Sequence, residues 1–203
     1  MAGFPNRFSK KEVRVLQLII EENLSNFIFD GIKRKTGMHQ ETLSRALAEL
    51  EDAGVITKTN QGYRVADNVR EEHHFAIPLS YNPSSVHVIS LIQTILPKDV
   101  DLESILSGLQ GKWFGMLRWF GCSETESSII LKWLTADGKV QIDALFSDSS
   151  LSIEGKLQNN NNNNNSNNNS NSNSKDLSSA IRASHQLMEQ IIKLYSKQKN
   201  AIL

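Results

Sequence analysis

Residues 36–56, TGMHQETLSRALAELEDAGVI, set Leu43, Ala46, Leu47 and Leu50 at the i, i+3, i+4, i+7 spacing of a helix face. A helix that buries this stripe turns His39, Gln40, Thr42, Ser44, Arg45 and Glu49 outward. The chemistry open to such a face is recognition rather than bond-making. An amide and a guanidinium each offer paired hydrogen bonds, the hydroxyls add more, and the helix start offers backbone N–H groups to an anion. Polar and basic residues flank the stretch on both sides: Lys33, Arg34 and Lys35 before it, Lys58, Asn60, Gln61 and Arg64 after it.

The other candidates for chemistry are sparse. His73 and His74 are adjacent, and neighbouring side chains of a strand point to opposite faces, so the pair cannot share one metal. His87 and His185 stand apart, and Cys122 is the single cysteine, so no zinc-type spacing exists. Cys122 follows Trp-Phe-Gly near a turn and reads as a buried, idle thiol, with a redox sensor as the alternative. The sequence contains no phosphate loop, no Gly-x-Ser-x-Gly and no catalytic carboxylate pair, so an enzyme, a metal site and a cofactor are not expected.

The recognition stretch needs neighbours to hold it. Ser9 caps a first helix, with Glu12 as the reciprocal capping-box partner and Val13, Leu16, Ile19 and Ile20 as its apolar stripe. Asn26 is read as the cap of a short second helix that runs to Thr36 and stops at Gly37. The third helix ends at Gly54, and VITKT and YRV flank NQG as a hairpin turning at Gly62. Beyond these, HFAIPL reads as a strand, 84–96 and 101–113 as helices split by Pro97, and Asp101 as a cap with Ser104 behind it. Four alternating runs follow, with ADGK as a hairpin turn between the second and third, and make a small α+β unit. Trp113, Phe114, Trp119, Phe120 and Trp133 cluster there as core, or as a pocket for a small-molecule effector, or as a partner surface.

Residues 159–174, NNNNNNNSNNNSNSNS, have no apolar residue and no period, and read as a disordered Asn/Ser linker. Residues 176–202 read as one amphipathic helix whose Leu177, Ile181, Ser184, Met188, Ile191, Tyr195, Gln198 and Ile202 step alternately by four and three, a heptad seam. Leu177, Ile181, Met188, Ile191 and Tyr195 are the residues expected to dimerise, unless the helix packs on its own chain.

The order helix–helix–turn–helix–hairpin over 8–66 resembles the winged helix-turn-helix domain of bacterial and archaeal transcriptional regulators, broadly the MarR/ArsR/Lrp-like superfamily. The resemblance rests on IKRKTGMHQETLSRALAELEDAGVITKTNQGYRV, 32–65: Gly37-Met38 at the turn, Leu43-Ser44-Arg45-Ala46-Leu47 in the third helix, and LEDAGVI at the exit into the wing. It implies double-stranded DNA as partner, with the third helix (39–52) in the major groove and hairpin 55–65 as the wing. Gln40 then faces adenine and Arg45 guanine, His39, Thr42 and Ser44 sit beside them, and Lys58, Asn60, Gln61 and Arg64 reach a neighbouring backbone or the minor groove. Lys33 and Lys35 meet phosphate. Each residue has a plainer reading: Arg45 pairs with Glu41 or Glu49, His39 is a turn residue, and Lys33–Lys35 are a solvated face. Glu41, Glu49, Glu51 and Asp52 make this helix acidic and keep a protein–protein assembly module open.

Composition sets the rest. The 203 residues carry 22 basic and 22 acidic side chains, so net charge selects no partner. Residues 1–70 hold 11 basic against 9 acidic, 71–158 hold 6 against 11, and 159–203 hold 5 against 2. Only the two flanks lean toward a polyanion. One cysteine fits a reducing compartment, and no 18-residue apolar run or signal-peptide core is seen, so a cytoplasmic protein without a membrane segment is expected. The expected fold is α+β: a winged helix DNA-binding domain (8–66), a sensing or dimerisation domain with a four-stranded antiparallel sheet (73–158), the linker and the C-terminal helix. The expected function is a homodimeric, sequence-specific transcriptional regulator.

Overall fold

The computed structural model of the chain describes residues 8–67, 69, 86–147, 149–158 and 169–202. In chain order these form α1 (Lys10–Glu21), β1 (Asn26–Phe27), α2 (Phe29–Thr36), α3 (Gln40–Asp52), β2 (Ile56–Thr59), β3 (Gly62–Val65) and β4 (Val86–Ile95). Then follow α4 (Leu102–Leu109), β5 (Leu117–Glu124), β6 (Ser128–Thr135), β7 (Val140–Ser147), β8 (Ser150–Gln158) and α5 (Asn169–Ile202). The strands make one eight-stranded antiparallel sheet in the order β2-β3-β1-β5-β6-β7-β8-β4.

That sheet corrects the expected architecture. The fold is α+β, but neither the expected N-terminal winged helix-turn-helix nor the expected four-stranded sheet fits it. The hairpin β2–β3 is the end of the large sheet, because β3 pairs with β1 and β1 pairs in turn with β5. A two-residue strand achieves this because each of its sides meets a different neighbour: Asn26 and Phe27 lie opposite Arg64 and Tyr63 on one side and Cys122 and Gly121 on the other. Flanking amides extend the pairing, with Ser25 N donating to Cys122 O (2.8 Å) and Ile28 N to Phe120 O (3.0 Å).

The chain divides into two compact units, Met1–Asn82 with Phe120–Glu124, and Pro83–Trp119 with Thr125–Leu203. In the first, Ser9 and Glu12 close the capping box on α1. The buried face of α1 is Val15, Leu16, Leu18 and Ile19, turned from the expected stripe so that Val13 and Ile20 are half-buried. Asn26 is not a helix cap: it lies in β1, and α2 starts after Ile28 with no side-chain cap. Gly37, at φ 66°, ends α2 in the left-handed conformation that glycine adopts without strain. Leu43, Ala46, Leu47 and Leu50 of α3 are buried as their spacing requires, beside Phe27, Ile32, Val55, Ile56 and Val65.

The second unit corrects one helix into a strand. Residues 84–96 were expected to be helical, but β4 pairs with β8 from Val86 to Ile95, with one bulge at Leu91. Its β-branched Val86, Val88, Ile89, Ile92, Thr94 and Ile95 favour extended backbone over helix. Asp101 caps α4 by accepting from Ser104 N (3.2 Å). The β6–β7 turn closes as Asp137 accepts from Thr135 Oγ1 (2.6 Å) and Lys139 N (3.2 Å). The C-terminal helix starts at Asn169, so 169–174 are helical rather than linker, while 159–168 lie outside the described residues. Also outside them are HFAIPL and the pair His73-His74.

Helix α5 packs on β7, β8, β4 and α4 of its own chain. Its buried line is Ala180, Ala183, Ser184, Leu187 and Ile191. The heptad seam is therefore split, with Ile191 inside the chain's own core while Leu177 and Ile181 are exposed. Tyr195 is half-buried with its hydroxyl 3.3 Å from Asp99 Oδ1. Ile191 thus packs inside the chain's own core, and Tyr195 bonds Asp99 of the same chain.

Cross-strand register also assembles a buried charged group that spacing did not reveal. Lys132 lies opposite Asp143. Asp143 accepts from Lys132 (3.1 Å), Lys156 (3.0 Å) and Gln141 Nε2 (2.8 Å). Asp143→Ala removes an acceptor that these groups share and is expected to cost about 3–5 kcal/mol in urea unfolding. Gly121→Ala tests the first unit: its Cβ would lie 2.3 Å from the Asn26 carbonyl oxygen. A backbone atom cannot swing aside, so the variant is expected to melt several degrees lower.

Candidate nucleic-acid interface

Helix α3 presents its polar face to solvent. His39, Gln40, Ser44 and Arg45 are exposed and Thr42 is half-buried, opposite the buried leucines. His39 is the N-cap residue and supplies no side-chain capping bond to the first turn. An outside acceptor can therefore take its place at the positive end of the helix dipole. Lys33, in the last turn of α2, reaches Gln40 Oε1 at 3.4 Å across the α2–α3 turn. Asp30, Lys33, Arg34, Gly37 and Met38 line an open cleft of about 390 Å³ beside that turn.

Several expected contact residues have partners already. Arg45 Nη2 is 3.0 Å from Glu41 Oε1 one turn back, with both side chains largely exposed. Such a surface pair is worth little and yields readily to another acceptor. Arg64 lies 3.8 Å from Asp67, also in the open. Lys35 is a correction: its side chain is about nine-tenths buried and pairs with Glu22 at 3.5 Å. Beside it, the Glu21 carboxyl is pushed above its ordinary value by burial first and by neighbouring Glu22 second, while Lys35 pulls it down. Lys35 is thus turned toward this acidic pair rather than toward solvent.

The hairpin holds Lys58, Asn60 and Gln61 exposed at one end. Glu51 accepts from Lys58 N (3.0 Å), and Gln61 N donates to Thr59 Oγ1 (3.3 Å), so the tip is tied to α3 and to itself. Sequence reasoning passed over Arg14, whose guanidinium donates to the Thr36 carbonyl (2.6 Å) and fixes the end of α2 against α1. Only its place on a mixed helix could have hinted at this. Met38 and Asp30 were likewise missed as lining residues of the cleft.

The alternative sites take other forms. Trp119 and Trp133 pack edge to face at 5.3 Å, Phe114 tilts onto Trp133 at 6.0 Å, and Trp133 Nε1 donates to Lys112 O (3.0 Å). Trp113 is exposed, with the Arg118 guanidinium 4.9 Å over its ring. Among the described residues no three His, Cys, Asp or Glu side chains gather to hold a metal ion, and no helix is long and apolar enough to cross a membrane. No family model, curated protein or solved structure matches the chain.

Cys122 is buried, with Asn26 Nδ2 at 3.6 Å and Glu124 Oε1 at 3.4 Å from its sulfur. Burial pushes its thiol up to about 11; the Asn26 contact lowers it, and the Glu124 charge raises it further. The thiolate is the reactive form, so little of it exists at neutral pH. Iodoacetamide at pH 8 is expected to leave the folded protein unlabelled and to label it fully in urea, as read by intact mass. Between pH 9 and 11 the unfolded thiol ionises while the folded one keeps its proton, so this group makes stability fall as pH rises through that window.

Proposed function

We propose that the protein binds double-stranded DNA sequence-specifically through α3 and regulates transcription by occupying its operator. The observation that carries this reading is the outward N-terminal half of α3. Gln40, Ser44 and Arg45 are exposed together there, on a helix whose opposite face is locked by Leu43, Leu47 and Leu50. A rigid helix with an amide and a guanidinium near its start suits base-edge recognition in a major groove. Lys33 beside the start, and Lys58, Asn60, Gln61 and Arg64 on the hairpin, supply cations and donors for phosphate. A homodimer belongs to this reading, because one such helix spans only a few base pairs and two-fold pairing doubles the contact.

A second reading has its own support. Glu49 and Asp52 are exposed on the same helix, and an acidic surface favours a basic protein partner over phosphate.

Fluorescence anisotropy on the chain's own upstream DNA and on scrambled DNA, over a salt series, separates the two. Arg45→Ala is expected to lose about 1–3 kcal/mol of discrimination. Lys33→Ala should weaken both DNAs alike and flatten the salt slope by about one charge. Lys35→Ala should leave the salt slope unchanged. Equal, weak binding of both DNAs by wild type and Arg45→Ala would sink the DNA reading in favour of a protein partner.

A further inference from the structure

We propose that β4 and the adjoining flank of α5 form a two-fold interface with a second copy of this chain. The inference deepens the homodimer named above but rests on the second unit alone, so it stands or falls apart from DNA binding.

The first observation is the edge. Among the described residues β4 is the last strand of the sheet, ten residues that pair with β8 and carry one bulge at Leu91. Its sequence, VHVISLIQTI, contains no Asp, Glu, Lys, Arg or Pro. Natural edge strands are usually guarded by such residues, because bare N–H and C=O groups recruit another strand. Here Val88 and Ile95 are also 52% and 81% exposed. An uncharged strand can meet its own copy antiparallel without opposing like charges.

The second observation is the helix. At about 100° per residue, Leu177, Ile181, Met188 and Ile192 fall on one stripe of α5, roughly a quarter-turn from the buried line. Leu177, Ile181 and Ile192 are 37%, 43% and 50% exposed, and Met188 is half-buried. The contacts of the other flank fix where this stripe faces. Gln186 accepts from Met116 N (3.2 Å) just before β5, and Leu194 meets Gly108 of α4. Ala180 sits over Leu91 and Gly155, on β4 and β8. The flank toward β5 is thus filled from within the chain, and the apolar stripe faces the opposite way, toward the β4 edge.

The third observation selects a second copy over an unrelated partner. The stripe is palindromic: Leu177 and Ile192 share a midpoint between Ser184 and His185, and so do Ile181 and Met188. Antiparallel pairing about that midpoint sets Leu177 against Ile192 of the partner subunit and Ile181 against Met188 of the partner subunit. Arg182 and Glu189, both exposed, have a midpoint one residue away, so opposite charges border the same seam. One two-fold axis beside β4 joins the two edges and brings the two helices side by side on one face, an isologous and closed contact.

The test is the molar mass of the full chain by light scattering, without DNA, across micromolar concentrations. The wild type is expected at twice the 22.8 kDa of one chain. Val88→Lys and Ile181→Lys, both at exposed positions, are each expected to halve that mass with the melting temperature kept. Should Ile181→Lys melt early, Ile192→Lys carries the same test. A monomeric wild type, a dimer that survives either substitution, or a mass that keeps growing with concentration would each overturn the proposal.

Discussion

The pairing of Asn26 and Phe27 on both sides is the contact on which the first unit depends. It is short, and its hydrogen bonds are ordinary, but its position gives it leverage. Without it the hairpin β2–β3 would lose the strand that joins it to Phe120–Glu124. Gly121 permits the close approach because it carries no Cβ to collide with the Asn26 carbonyl. Gly31 does the same where α2 crosses Phe120, whose backbone oxygen would lie 2.9 Å from an added Cβ. Two glycines and a two-residue strand therefore hold the platform on which α2 and α3 sit.

That platform explains why the candidate interface is rigid in its helix and looser in its charges. The leucines of α3 are held in the core, so the direction of its polar face is set by packing. Its guanidinium and carboxylate partners are paired on the surface, where exchange for another acceptor costs little. The basic run before the turn divides. Lys33 looks across the turn to Gln40, whereas Lys35 is drawn inward to Glu22. Three consecutive basic residues on a helix cannot all face one ligand, because 100° separates each from the next.

Within the second unit, strand order concentrates both buried and exposed risk. The carboxylate of Asp143 holds two lysines and an amide, a group that is stable only while every member is satisfied. At the far edge of the described sheet, β4 carries no charged residue. The helix that packs on this sheet buries small residues, Ala180 and Ala183, together with Leu187 and Ile191, and leaves Leu177, Ile181 and Ile192 exposed beside them. Small residues let the helix sit close to the sheet, and the larger side chains beside them then extend past what its own sheet can cover.

Much of the local structure was legible in the residues. The capping box at Ser9, the stop at Gly37, the buried face of α3, the Asp101 cap and the Asp137-Gly138 turn depend on contacts within a few positions, so short-range chemistry determined them. The polar face of α3 was legible for the same reason. What the residues left open was decided by pairing across the chain. Asn26 has the side chain of a cap but lies in a strand, because β3 and β5 offer its backbone two ladders. Residues 86–95 have apolar spacing that suits helix or strand, and β8 settles it by pairing on both sides of a bulge at Leu91. The heptad of α5 was real as a period, yet the sheet chose a line beside it. Periodicity states which residues can share a face; only the surface that the fold supplies decides which of them are covered.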